Sequence, residues 1–304
     1  MAESPKRYLR AFVRVLVVGF FIVVVIAITH FPYDSDAPFT YEEMTAARKF
    51  YTEAYSQSFL DNRERFESEA EYIGGIKEQI GTFVKYYNLD NGAVLDIGSG
   101  GGYLQDVTQN YTGLDISPTA ARFYHKKFVV GSATAMPFQD GSFDGAWSIA
   151  VLEHIPNPEQ ALSETRRVLK DNGVLFLFPS WNCRSWAADG YDVRPYSDFG
   201  LSGKLIKASI PLRSSAAFRL AGLLPNRLIR TVAARFGPTK LHYRRLVPNY
   251  ERYWVPDSDA VASIDSHEAM LWFLSRGDEC LNCENASLLL GLGPLIIRVH
   301  KSAR

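Results

Sequence analysis

Cysteine is scarce in this chain of 304 residues, and its three cysteines make an odd number. Disulfide frameworks use even numbers of cysteines, so this count favours a reducing compartment. Cys280 and Cys283 form a C-x-x-C pair, but there is no second pair to complete a four-cysteine zinc site. Both fall on a predicted strand, where residues i and i+3 face opposite sides. They are therefore predicted to be core thiols, and no metal site is predicted.

Net charge is also lacking, because 33 basic and 33 acidic residues cancel. This balance hides an asymmetry: between Cys183 and Tyr250 there are twelve Lys and Arg against three acids. Such a region is expected to meet an anionic partner or to form a solvated basic face. Nucleic acid is not predicted as the partner, since no recognised binding module is present. Internal repeats and low-complexity tracts are absent from the sequence as well.

The glycine-rich segment at 98–102 lacks two common phosphate-binding patterns. The apolar run at 94–97 ends in the loop at 98–102, which predicts a buried strand turning into a helix beside a nucleotide-like ligand. The dinucleotide pattern G-x-G-x-x-G fails because Tyr103 stands where its third glycine should be. No Gly-Lys-Ser or Gly-Lys-Thr follows the loop, which argues against a Walker motif.

The pattern that does fit this loop is D-x-G-x-G-x-G, formed by Asp96, Gly98, Gly100 and Gly102. It resembles motif I of the class I S-adenosylmethionine (SAM) methyltransferases. The resemblance implies that SAM is the cofactor. It also implies that Asp96 and the loop, including Ser99, hold the methionine end of SAM.

The next predicted strands extend the resemblance across residues 83–180. Asp115 lies about twenty residues beyond Asp96, where a ribose-binding carboxylate is expected. The family implies that it accepts hydrogen bonds from both ribose hydroxyls, with Ile116 beside it as a further cofactor contact. Ser132 stands where the family commonly has an acid, so Ser132 and the backbone of Ala133 are expected to contact adenine more weakly.

Methyl transfer from a sulfonium is an in-line displacement that depends on alignment of the acceptor. A hydroxyl acceptor also needs a side chain to take its proton. His154, at the end of the fourth predicted strand where the cleft opens, is the predicted catalytic base. The alternative is a capping residue without a proton role, and His242 and Tyr243 are secondary candidates. Tyr51 and Tyr55 either cap the cofactor or only pack.

The resemblance implies an α/β, Rossmann-like fold with a seven-stranded sheet whose last strand is antiparallel. About eighty residues separate the fifth strand from the C-terminal helix, far more than an ordinary connection. The predicted organisation is a cytoplasmic tail with a transmembrane anchor at 1–33, a helical region at 34–88 with a break at Gly74-Gly75, a SAM-binding core at 89–181, a basic acceptor-binding lid at 182–264, and a C-terminal helix and strand pair at 265–304.

The uncharged apolar run at 15–29 follows Lys6, Arg7, Arg10 and Arg14. With flanking residues it predicts a single-pass membrane anchor. A cleaved signal peptide is the alternative, although no clear small-x-small cleavage site follows. Basic residues before the run, with acids after it, predict that the N-terminus is cytoplasmic and that the domain lies outside the cell. The acids are Asp34, Asp36, Glu42 and Glu43. SAM is a cytosolic metabolite, however, so the cytoplasmic face is favoured.

These features predict a membrane-anchored, SAM-dependent methyltransferase. The favoured acceptor is a hydroxyl on a lipid-linked saccharide or another glycan, with the basic lid near lipid head groups. A lipid quinone or a phospholipid is the alternative acceptor. A membrane-tethered SAM-binding protein without catalysis is the alternative from a different class.

Overall fold

The computed structural model describes residues 5–30, 39–55, 63–283 and 293–301. Within these described residues, three helices precede the sheet: α1 (Pro5–His30), α2 (Tyr41–Ala54) and α3 (Arg63–Tyr86). Thr40 starts α2 with a capping box, since its hydroxyl accepts from the Glu43 amide at 3.2 Å and the Glu43 carboxylate accepts from the Thr40 amide at 2.6 Å.

The predicted break at Gly74-Gly75 is wrong, because α3 continues through both glycines. A glycine in a helix costs only about 1 kcal/mol relative to alanine. The buried face formed by Ile76, Ile80 and Phe83 offsets that cost by packing against the sheet.

The predicted seven-stranded sheet is confirmed, in the order β3-β2-β1-β4-β5-β9-β8. Neighbouring strands from β1 to β5 are parallel, and β9 is antiparallel to both β5 and β8. The remaining two strands, β6 and β7, form a separate antiparallel pair. The strands are β1 (Val94–Ile97), β2 (Tyr111–Asp115), β3 (Lys127–Val130), β4 (Phe143–Ile149), β5 (Leu169–Phe178), β6 (Tyr243–Arg245), β7 (Ala262–Ile264), β8 (Glu279–Cys280) and β9 (Leu295–Arg298).

Helices cover both faces of the large sheet. One face of β1, with Leu95 and Ile97, packs into a core that includes residues of α4 (Pro158–Val168) and α7 (Ser266–Leu274). The other face, with Val94, packs against α3. Strand β1 has β2 on one side and β4 on the other, so the chain changes direction across the sheet at this strand. The carboxyl ends of β1 and β4 therefore form the switch point where ligands of open α/β sheets bind.

The helix predicted directly after the glycine loop is not formed, since residues 98–110 are turns and bends. Side chains in this segment bond to distant backbone groups instead. Gln105 donates to the Phe123 carbonyl at 3.0 Å, and the Thr108 hydroxyl donates to the Leu89 carbonyl at 2.8 Å. Consecutive glycines also disfavour a helix by backbone entropy.

The insertion at 182–264 contains α5 (Leu201–Arg213) and α6 (Ala216–Ala233) as well as β6 and β7. Part of its positive charge is neutralised within the fold. The Arg227 Nε atom lies 2.8 Å from an Asp265 oxygen, and Arg227 is only 2 % exposed. Arg230 pairs with Glu268 at 2.9 Å, and Arg245 pairs with Glu43 of α2. These arginines join the insertion to other parts of the chain.

The predicted membrane localisation is wrong. In the part of the chain that the structure describes, no helix combines the length and the apolar composition needed to cross a bilayer. The uncharged run at 15–29 is itself shorter than the roughly twenty apolar residues that a span requires. The same finding removes the basis for assigning the domain to one membrane face. Of the acids in the topology argument, Asp34 and Asp36 lie outside the described residues, whereas Glu42 and Glu43 lie in α2.

Cys280 and Cys283 form a disulfide and are not the core thiols predicted from strand alternation. Strand β8 ends at Cys280, and residues 281–282 turn the chain back. The two Cα atoms consequently lie 5.5 Å apart, a separation at which a disulfide forms readily. Cys183 is the free cysteine, and it is buried.

Candidate active site

A cavity of about 910 Å³ opens at the carboxyl ends of β1 to β4. Helix α2 covers it with Tyr51 and Tyr55, and Tyr243 of β6 borders it. Gly98 and Asp115 lie in the wall beneath. The position is the switch point of the sheet, and the volume suits a nucleoside cofactor together with an acceptor.

The glycine loop needs glycine at specific positions. Gly98 and Gly100 have φ values of 71° and 49°, which L-residues with side chains rarely adopt. A Cβ atom on Gly98 would lie 2.4 Å from the Val151 methyl carbons, and one on Gly100 would lie 2.6 Å from the Tyr55 hydroxyl. The loop therefore passes directly beneath α2 and the end of β4, as the SAM motif requires.

Asp115 ends β2 in the cavity wall. Its Oδ2 atom accepts from the Gly100 amide at 2.9 Å, and its Oδ1 atom accepts from the Ser117 amide at 2.8 Å. A carboxylate has about four lone-pair sites, so these amides leave acceptor capacity for a ribose hydroxyl. Burial raises the pKa of Asp115, partly offset by these amide hydrogen bonds. The geometry fits the predicted ribose contact, with Ile116 beside it in the wall.

Asp96 does not line the cavity. It lies within β1, where its Oδ2 atom accepts from the Tyr111 hydroxyl at 2.8 Å. Burial raises the pKa of Asp96 to about 7. Ser99, Gly100 and Gly102 are likewise absent from the wall, whereas Gly98 is part of it. Asp96 thus lies in the strand that leads into the loop, and its direct contact with the methionine end of SAM remains a prediction.

The predicted adenine end contains Ser132 and Ala133, and both line the cavity. The Ser132 hydroxyl shares a hydrogen bond of 2.8 Å with the Thr134 hydroxyl and accepts from the Thr134 amide at 3.2 Å. Thr134 also lines the cavity, and the sequence analysis did not select it. A serine–threonine pair therefore stands where the family commonly has a single acid.

His154 lies at the end of a 3-10 turn that follows β4, and its side chain lines the cavity. Its Nδ1 atom is 3.5 Å from Asp259 Oδ2, and its Nε2 atom is 3.8 Å from Glu153 Oε1. The Tyr51 hydroxyl donates to the same Asp259 oxygen at 2.7 Å. The Tyr51 and His154 rings meet edge to face, with centroids 6.0 Å apart.

The electrostatics around His154 favour a positive imidazole. A carboxylate oxygen of Glu153, a carboxylate oxygen of Asp257 and a ring nitrogen of His154 lie within 4.8 Å of one another. Asp259 lies beside the Nδ1 atom of the His154 ring. Burial alone would lower the pKa of His154, but the carboxylates of Asp259, Glu153 and Asp257 outweigh it and raise the pKa. Burial raises the pKa of Glu153, whose side chain is fully buried. The neighbouring carboxylates therefore stabilise the imidazolium that forms when His154 takes up a proton.

Sequence reasoning missed both acids of the insertion. Asp257 and Asp259 belong to no motif, and no local pattern connects them with His154. Tyr51 is predicted from the sequence either to cap the cofactor or only to pack, and no pattern connects it with Asp259. Of the secondary candidates, Tyr243 lines the cavity, whereas His242 is absent from its wall.

Comparisons with known proteins agree with this geometry. Residues 95–177 match the family model described as a methyltransferase domain. The sterol 4-C-methyltransferase strm-1 of Caenorhabditis elegans is 34% identical over 104 residues, which cover 29% of this chain and 31% of that protein. The 2-methyl-6-phytyl-1,4-hydroquinone methyltransferase of Synechocystis is 36% identical over 104 residues, covering 30% and 32%. The ubiquinone biosynthesis O-methyltransferase of Dechloromonas aromatica is 33% identical over 101 residues, covering 28% and 42%.

This chain spans about a third of the length of the first two of these relatives. The residues that match the family model include most of β1, the glycine loop, β2 and β4, which together form one wall of the cavity. Residues 95–177 form a class I methyltransferase domain whose cofactor is S-adenosylmethionine.

Proposed function

We propose that this chain transfers the methyl group of SAM to a hydroxyl oxygen of an acceptor bound between α2 and the insertion. The observation that carries the proposal is His154, an imidazole in the cavity wall with a carboxylate beside its Nδ1 atom. A carbon or nitrogen acceptor would not require such a base in every case, whereas a hydroxyl must lose its proton as the methyl group arrives.

The other roles combine the cavity wall with the motif resemblance. Asp115 binds the ribose hydroxyls, and Ser132 with Ala133 contacts adenine, all from positions in the wall. The resemblance assigns the methionine end of SAM to the loop from Gly98 to Gly102, of which Gly98 lines the cavity. SAM supplies an electrophilic methyl group on a positively charged sulfur.

Alignment of the acceptor oxygen with the methyl group supplies much of the acceleration. With SAM held by Asp115 and the loop, His154 would take the hydroxyl proton as the acceptor oxygen gains the methyl group, and the sulfur of SAM would keep the electron pair of the broken carbon–sulfur bond. Because Asp259, Glu153 and Asp257 stabilise the imidazolium, the proton is held near the reacting oxygen until it is released to solvent.

The acceptor end of the cavity is lined largely by apolar side chains. Phe39, Met44, Ile155 and Pro156 belong to this part of the wall, with Tyr243 beside them. Such a surface favours an acceptor with an apolar ring system, as in a lipid quinone. The relatives that act on sterols and quinone precursors are consistent with this class of acceptor.

A saccharide acceptor is the second candidate. Arg48 and Tyr41 lie in the same wall and offer hydrogen-bond donors that an apolar acceptor would leave unused. The comparisons lend a glycan acceptor no support, so the quinone class is preferred.

The test incubates the purified chain with methyl-labelled SAM and either a total lipid extract or a polar glycan extract. Label in the lipid fraction is expected, and label in the glycan fraction would favour the second candidate. His154→Gln should bind SAM normally in calorimetry and lose turnover about 100-fold or more. Asp115→Asn should weaken SAM binding itself. Normal SAM binding with no labelled product in either extract would favour the non-catalytic alternative.

A further inference from the structure

We infer that Asp259 is a positioning residue that fixes the orientation and tautomer of His154, and that Tyr51 holds the Asp259 carboxylate in place. This inference rests on the proposed function, in which His154 accepts the proton of the acceptor. It assigns a role in methyl transfer to the insertion, which lies outside the matched methyltransferase domain.

A backbone hydrogen bond joins the segment that carries Asp259 to the turn that follows β4. The Val261 amide donates to the Glu153 carbonyl at 2.9 Å, and the Leu246 amide donates to the Val261 carbonyl at 2.8 Å. The Ser258 hydroxyl donates to the Ala187 carbonyl at 3.2 Å. These hydrogen bonds hold the backbone of Asp259 beside His154, the residue that follows Glu153.

The contact between Asp259 and His154 is suited to orienting an imidazole. The carboxylate is buried, with Asp259 only 5 % exposed, and its Oδ2 atom lies 3.5 Å from His154 Nδ1. That nitrogen is buried and makes no hydrogen bond within the described residues. Hydrogen bonds of catalytic groups are often long before substrate binds and shorten in the complex. A small rotation of the ring would complete this one.

The tautomer follows from that contact. A carboxylate can only accept a hydrogen bond, and a carboxylate lies on each side of the ring. Asp259 is the nearer one, at 3.5 Å from Nδ1, against 3.8 Å between Glu153 Oε1 and Nε2. Glu153 Oε1 already accepts from the Ser180 amide at 2.9 Å, so the proton of neutral His154 is assigned to Nδ1, facing Asp259. Nε2 then carries the lone pair that takes the acceptor proton. An amide in place of the carboxylate could donate to Nδ1, which would move the proton to Nε2 and remove the base.

Tyr51 completes the arrangement from α2. Its hydroxyl donates to Asp259 Oδ2 at 2.7 Å, and its ring packs edge to face on His154. Burial, followed by the charge of Asp259, raises the pKa of Tyr51 well above its ordinary value, so the hydroxyl keeps its proton and donates. Helix α2, the insertion and the end of β4 thus meet at one carboxylate.

The charged and titratable groups that face His154 are Glu153 from its own turn, Asp257 and Asp259 from the insertion, and Tyr51 from α2. Asp257 and Asp259 both favour the imidazolium by charge, but Asp259 is the acid placed at Nδ1. This difference allows charge and orientation to be tested separately.

The first test measures side-chain nitrogen NMR spectra of the full chain without acceptor, with His154 assigned by comparison with His154→Gln. Wild-type protein above the His154 pKa should show the Nδ1–H tautomer. Asp259→Asn should shift it to Nε2–H and lower the pKa, whereas Asp257→Asn should lower the pKa without changing the tautomer. An Nε2–H tautomer in the wild-type protein would overturn the inference.

The second test measures turnover on the lipid extract over a range of pH. Asp259→Asn should lower kcat about 100-fold, leave the Kd for SAM unchanged, and move the acidic limb of the pH profile to lower pH. Tyr51→Phe should retain ring packing and give a smaller loss of kcat, and Asp189→Asn, an exposed acid of the insertion, should match wild type.

Equal kcat for Asp259→Asn and wild type would refute the positioning role. A loss of kcat and SAM binding together, with the pH profile unmoved, would instead show a structural role. If His154→Gln kept full turnover while the NMR results held, the proposed base would be wrong but the orientation of His154 by Asp259 would stand.

Discussion

Asp96 gives the strongest prediction about stability, because its carboxyl group is buried and its pKa is raised from 3.8 to about 7. The unfolded chain loses the proton near pH 4, whereas the folded chain keeps it until about pH 7. Between these values the folded state binds more protons, so the free energy of unfolding falls as pH rises. The stabilisation that protonated Asp96 gives the folded state is fully present below the pKa of the unfolded state, and it is lost as pH rises through the pKa of the folded state.

Replacing Asp96 with Asn removes this titration while keeping the shape of the side chain. The Asn amide oxygen can still accept from the Tyr111 hydroxyl, which now bonds to Asp96 at 2.8 Å. One pKa unit corresponds to about 1.4 kcal/mol. Integrating the titration from pH 5 to pH 8, we expect wild type to lose about 2 to 3 kcal/mol more than Asp96→Asn over this interval.

The assay is urea denaturation without SAM at several pH values between 5 and 8. Other buried acids, including Asp115 and Glu153, also change stability with pH, so only the difference between variant and wild type isolates Asp96. Asp189→Asn serves as the exposed-acid control and should run parallel to wild type. Parallel curves for Asp96→Asn and wild type would refute the reasoning, because they would mean that Asp96 has the same pKa in both states.

Three further predictions concern the loop, the insertion and α2. Gly98→Ala should abolish SAM binding in calorimetry, because φ is 71° there and the new Cβ would lie 2.4 Å from Val151 methyl carbons; unchanged binding would contradict this. Arg227→Met should reduce the free energy of unfolding by about 3 to 5 kcal/mol in denaturant titrations, because it leaves the buried Asp265 carboxylate unpaired. A loss below about 1 kcal/mol would contradict a buried pair. Thr40→Ala should lower the free energy of unfolding by about 1 kcal/mol, because it removes the capping box of α2. Thr40→Ser keeps the hydroxyl and should lower it much less, and thermal unfolding of both variants measures the difference.

The cofactor half of the site could be predicted because its residues are close together in sequence. A short buried strand, a loop with glycines at alternate positions and an acid at the end of the next strand place Asp115 beside the loop in any parallel sheet of this order. The structure confirms the sheet and brings Gly98, Asp115, Ser132 and Ala133 to one cavity. Their contacts with SAM remain predictions.

Errors arose where local patterns competed with distant partners. A helix was predicted after the glycine loop, but Gln105 and Thr108 form hydrogen bonds to backbone groups far along the chain. Strand alternation predicted separated thiols at Cys280 and Cys283, but the strand ends at the first cysteine. In the first case the assumed helix is absent from residues 98–110, and in the second the strand ends before Cys283.

The sequence by itself therefore determined the glycine loop, and through the family resemblance of its motifs it implied the sheet and the cofactor, because these motifs are spaced over a short part of the chain. Only the tertiary structure decided which acids meet His154 and where the excess arginines go. Asp259 reaches His154 through backbone pairing of the insertion with the end of β4, and Arg227 and Arg230 find Asp265 and Glu268 through the packing of α6 on α7. Such pairings are selected by desolvation: a buried charge is stable only when its partner is buried with it, and that partner can lie anywhere in the sequence.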